Sequence, residues 1–108
     1  MGKVGDASFH GISRALYKFS VYTLDSSFRD DIGAVYIVCD TNAKGQHQPL
    51  YVGETIKLGV QLQNGDLWPR LRESGAKCIC VHVDKAESSR KSAMTDLIAY
   101  YNPSYNLG

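Results

Sequence analysis

Proline is scarce in this chain, at three of 108 residues, and tryptophan occurs once. With so few prolines the backbone is free to form regular elements nearly throughout, which excludes proline-rich linkers and collagen-like repeats. No apolar run is long enough for a secretory leader or a membrane-spanning helix, so no membrane association is expected. The N-terminal hexapeptide ends in Asp6, where a myristoylation signal wants Ser or Thr. Charge of either sign is not in excess: Lys and Arg number 12 and Asp and Glu 11, a net +1. Whole-chain charge therefore points to neither nucleic acid nor membrane. Cysteine is limited to Cys39, Cys78 and Cys80, an odd number in apolar, strand-like contexts. They read as reduced core thiols of a cytoplasmic protein rather than as a disulfide framework. No Ser–His–Asp pattern or P-loop is present.

What is present is a regular alternation of short elements. Residues 1–15, rich in Gly and small polar types, read as a loosely held leader, and residues 16–108 as a single domain. Tyr17, Phe19, Val21 and Thr23 alternate with Lys18, Ser20, Tyr22 and Leu24, the period-2 signature of a strand. Ala34 to Cys39 is apolar and β-branched, as in a strand covered on both faces. A polar, Gly-containing loop from Asp40 to Gln48 leads to a return strand, Leu50 to Gly53. Leu58 and Leu62 suit a short helix ending near Asn64-Gly65, and Trp68-Pro69 begins a connecting segment. Lys77 to Val83 alternates into another core strand. The final helix runs from Lys85, capped by Asp84, to about Tyr101, with Met94, Leu97, Ile98 and Tyr101 as its apolar stripe. Asn102-Pro103 stops it. The expected class is α+β, a small antiparallel sheet with flanking helices.

The order of motifs narrows this further. A Gly-x-x-Tyr strand (Gly33 to Tyr36), a hairpin, Tyr51-Val52-Gly53, a helix, a further strand and Asp96-Leu97-Ile98-Ala99-Tyr100-Tyr101-Asn102-Pro103-Ser104-Tyr105-Asn106 follow one another. In that order they resemble the GIY-YIG nuclease family, over roughly Phe19 to Asn106. The resemblance implies adjacent antiparallel strands for the two tyrosines. It implies that Tyr36 and Tyr51 serve the attacking water and the phosphate, and that Asn106 anchors the local geometry. It also implies an arginine that stabilises the pentavalent phosphate and a glutamate that holds Mg²⁺ or Mn²⁺.

At those last two positions the chain departs from the family. Gapless spacing from Gly53 puts Gln61 at the arginine position; Arg70, in a similar local context nine residues later, competes only through an insertion. Three residues before the Leu97-Ile98 pair stands Met94, whose thioether is no ligand for a hard cation. Asp96 lies about 200° round the helix from Met94, toward solvent or the opposite side. The leading expectation is thus a GIY-YIG-like domain that binds nucleic acid or a protein partner without cutting, with no cofactor. Mg²⁺ or Mn²⁺ enters only under the alternative, an active endonuclease that uses Arg70 and a relocated carboxylate. A third alternative is a non-enzymatic interaction or inhibitor protein. Arg70, Arg72, Lys77 and Arg90 belong to a locally basic stretch of about +3 and are the candidate nucleic-acid contacts. Cys78, Cys80 and His82 share a strand face, with Cys39 on a neighbouring strand. Flat strand faces rarely converge on a metal, so buried thiols are expected there rather than a metal site. His10 and His47 read as loop residues without partners.

Overall fold

The computed structural model describes residues 3–41, 44–63 and 67–106. Five strands, β1 (Lys3–His10), β2 (Leu16–Thr23), β3 (Ala34–Thr41), β4 (His47–Thr55) and β5 (Cys78–Val83), form one sheet in the order β1-β2-β5-β3-β4. Every pairing is antiparallel. The helices are α1 (Leu58–Gln63), α2 (Leu67–Glu73) and α3 (Glu87–Tyr101), and a 3₁₀ turn covers Ser104–Asn106. The protein is α+β with an antiparallel sheet, as its alternation of elements predicts.

Strand alternation sorts the core into two layers. Val35, Ile37 and Cys39 of β3 join Phe9, Phe19, Val52, Cys78 and Cys80 under Ala93 and Leu97 of α3. Met94, Ile98 and Tyr101 pack at the margin of this layer, so the expected stripe of α3 is the face that meets the sheet. Ala34, Tyr36 and Val38 point the other way, beneath Leu58 of α1 and Leu71 of α2. The central position of β5 explains why Ile79, Cys80 and Val81 are buried: both faces are covered and both edges paired.

Three local expectations change. Residues 3–10, read as part of a loose leader, are strand β1, paired with β2 from Lys3↔Tyr22 to His10↔Leu16. Phe9 is its one buried apolar side chain, so the segment carries too little hydrophobic signal to be recognised locally. The segment after Trp68 is not a connection but helix α2, in which Pro69 takes a first-turn position where its missing N–H costs no intrahelical bond. Asp84 does not cap the first turn of α3 directly; its Oδ1 accepts the N–H of Ala86 at 3.0 Å, and Ala86 is the N-cap. The expected α1 terminus at Asn64-Gly65 lies outside the described residues. At the other end of α3, Asn102 closes the helix in the left-handed region (φ 49°) with its N–H on the Ile98 carbonyl at 2.8 Å. Pro103 then prevents continuation.

Candidate functional site

The tyrosine pair is built by the β3–β4 hairpin. Tyr36 lies opposite Gly53 and Val38 opposite Tyr51, so the two phenols share one face on adjacent strands. Their ring centroids are 6.0 Å apart at 41°. Gly53 makes this approach possible. A Cβ there would stand 2.7 Å from the Tyr36 Cζ and Oη and 2.9 Å from Tyr51 Cε2. Tyr36 is buried and Tyr51 half-buried, so the pair is open to solvent mainly on the Tyr51 side.

The Tyr36 hydroxyl has the side chains of Tyr51 and Gln61 as polar neighbours. Burial pushes its acidity well below that of a free phenol, the adjoining Tyr51 and the Glu54 carboxylate push the same way, and Gln61 partly opposes them. Tyr36 is therefore a neutral phenol at physiological pH. Gln61, exposed on α1, is the residue of the Gln61/Arg70 alternative that the structure brings to Tyr36. Arg70 on α2 is exposed instead, with its Cζ 5.7 Å from the Tyr105 ring centroid. Tyr105 packs at the margin of the same layer as the tyrosine pair. The basic side chain thus stands on the same side of the sheet, above the C-terminal tail.

Asn106 pins that tail. Its Oδ1 accepts the Val52 N–H and its Nδ2 donates to the Val52 carbonyl, both at 2.8 Å. The side-chain amide thereby acts as a further strand residue on the free edge of β4 and holds Tyr105 against the layer that Tyr51 also borders.

Two expected members stand elsewhere. Met94 packs in the α3 layer, on the sheet face opposite the tyrosines. Arg90 is not a surface contact: it is 2% exposed, the one buried charged residue among the described residues. Its Nε donates to Glu54 Oε2 at 3.0 Å, and its Nη1 donates to the carbonyls of Asp84 (3.1 Å) and Lys85 (3.0 Å). Gly33 leaves the space it needs, since a Cβ there would lie 2.9 Å from Nη1. Arg72, exposed, donates from Nη2 to the Leu24 carbonyl at 3.2 Å, and Lys77 is exposed just before β5.

Glu54 is the residue that motif reading missed. It follows Tyr51-Val52-Gly53 directly, and a carboxylate one position beyond a motif carries no signal until the partner from α3 is known. Comparison with family models, curated proteins and solved structures finds no match for this chain.

Proposed function

We propose that this chain is a GIY-YIG-like domain whose tyrosine cleft binds the phosphate backbone of nucleic acid without hydrolysing it. The observation that carries the reading is the state of the groups beside Tyr36. A nuclease needs a base poised near neutral pH and a cation for the phosphate. Here burial pushes the phenol still further from ionisation, and the Glu54 carboxylate, opposite Val35 on the α3 face of the sheet, is bound by Arg90 at 3.0 Å. Gln61 offers an amide hydrogen in place of a guanidinium, which is enough to contact a phosphate oxygen but not to neutralise it.

The donor set does not suit Mg²⁺ or Mn²⁺. Such ions want several hard oxygens, whereas Met94 supplies sulfur on the other face and Glu54 is already committed to Arg90. Binding is served better than chemistry. Tyr51, Tyr105 and the exposed guanidinium of Arg70 combine flat aromatic surface with a positive charge, the means by which proteins hold single strands.

Fluorescence anisotropy with labelled single- and double-stranded DNA and RNA, at several salt concentrations, tests this together with cleavage assays in Mg²⁺ and Mn²⁺. Binding that weakens with salt is expected, without cleavage. Arg70→Ala should lower the slope of log affinity against log salt by about 1. Metal-dependent cleavage that is lost in Tyr36→Phe and Glu54→Gln would establish the active endonuclease instead. Failure to bind any nucleic acid at low salt would point to the protein-partner alternative.

A further inference from the structure

On the face of the sheet away from the tyrosines, three cysteines meet. Cys39 of β3 is the cross-strand partner of Cys78 of β5, and Cys80 follows two residues on, on the same side. Successive same-face residues of a strand are about 6.6 Å apart along the chain. Yet the three sulfurs all lie within 4.8 Å of one another. The side chains lean toward a common point rather than standing parallel. A register irregularity in the β3–β4 pairing between Val38 and Cys39 falls where Cys39 is aimed, and such bulges turn side chains out of the regular pleat.

A fourth donor stands beside them. His47, the first residue of β4, is opposite Thr41 and so shares the face of Cys39. Its Nδ1 is 3.6 Å from Cys78 Sγ. It is not a loop residue without a partner. His82, by contrast, is turned away, with its Nδ1 2.8 Å from the Lys18 carbonyl.

Two of the separations match the edges of a tetrahedral ion, while His47 stands against Cys78 and does not come within 4.8 Å of all three sulfurs. With metal–sulfur bonds of about 2.3 Å and metal–nitrogen bonds of about 2.05 Å, a tetrahedron has edges of about 3.8 Å between sulfurs and about 3.6 Å between sulfur and nitrogen. Cys39 and Cys80 sulfurs are 3.9 Å apart, and the sulfur–nitrogen edge at Cys78 is 3.6 Å. From this geometry we infer a metal site held by Cys39, Cys78 and Cys80 and suited to Zn²⁺, which His47, standing beside Cys78, would close as a Cys₃His centre on turning toward the other two sulfurs. Soft thiolates with one imidazole select zinc over the hard cations. Each thiol passes its proton to solvent as it becomes a ligand. Cys39 and Cys80 are fully buried while His47 is half-buried, so the ion enters from the His47 end of the sheet. Bound there, it would join β3, β4 and β5 at one point.

The test uses the full chain, purified under reducing, chelator-free conditions and then handled anaerobically. Elemental analysis should find about one zinc per chain. After the metal is stripped, Co²⁺ titration should produce a thiolate-to-cobalt charge-transfer band and the intense visible bands of a tetrahedral ion, saturating at one equivalent and bleached by Zn²⁺. His47→Ala should weaken Co²⁺ binding more than about tenfold and shift the visible bands while keeping the charge-transfer band. His82→Ala should leave both spectrum and affinity unchanged. Folded wild-type protein, verified by circular dichroism, that takes up Co²⁺ without any charge-transfer band would overturn the site. So would equal effects of the two histidine substitutions. Because the decisive titration is on the wild type, a histidine variant that fails to fold does not obscure the result.

Discussion

At the scale of single residues, the site is governed by space as much as by chemistry. The 2.7 Å that a Cβ at position 53 would leave to the Tyr36 ring means that Gly53→Ala must push the phenols apart or move β4. Overpacking of this kind costs about 1–3 kcal/mol. Chemical denaturation should show that loss, and the tyrosine fluorescence of the pair should change with it. The Arg90–Glu54 pair is the second such point. Its guanidinium is buried at 2% exposure and its carboxylate side chain at 15%. Arg90→Ala leaves a half-buried carboxylate and two carbonyls without their donor, so it should destabilise by about 3–5 kcal/mol. Glu54→Gln keeps an acceptor and should cost less. An urea titration giving Arg90→Ala within about 0.5 kcal/mol of wild type, as expected of a surface arginine, would contradict the burial. The tyrosines could be picked out from their motif spacing alone. The glutamate–arginine pair could not, because 36 residues separate partners that meet only after α3 docks.

Among the elements, β1 shows most plainly what local patterning leaves open. Its sequence, Lys3 to His10, carries one buried apolar side chain, but Phe9 stacks edge-on against Phe19 at 5.3 Å and Tyr101 at 5.8 Å. Phe9→Ala should cost about 3–5 kcal/mol, where a true leader residue would cost nothing measurable. The β1–β2 hairpin is tied to α3 by Asp96, which accepts from Ser13 N–H (2.9 Å), Ser13 Oγ (2.6 Å) and Tyr17 Oη (2.7 Å). The turn of the helix sets Asp96 toward solvent or the side opposite Met94; the hairpin that it holds is what gives it partners. The Ser13 hydroxyl, then Tyr17, hold its carboxyl below the ordinary value of 3.8. A value depressed by folding adds stability that is complete above the ordinary carboxylate value and lost as pH falls through the lower, folded-state one. Asp96→Asn should therefore show a smaller drop in urea midpoint between pH 7 and strongly acidic solution than wild type does. An equal drop would assign the acid sensitivity to other carboxylates.

For the whole molecule, the strand order β1-β2-β5-β3-β4 places the last strand in sequence at the centre of the sheet. Since β5 pairs on both sides and β1 on one, native-state hydrogen exchange should find β5 and β3 amides opening only with global unfolding and β1 amides opening earlier. Equal protection in β1 and β5 would mean that the sheet opens as one unit. The α+β class, the hairpin of the tyrosines, the stripe of α3 and its stop at Asn102-Pro103 were all legible in the chain. They depend on periodicity, turn chemistry and proline geometry, which act over a few residues. The insertion of β5 between β2 and β3, the burial of Arg90 and the meeting of His47 with three cysteines were not. These depend on which distant strands pair and in what register, and a register is chosen by the summed packing of the sheet and its helices rather than by any one segment.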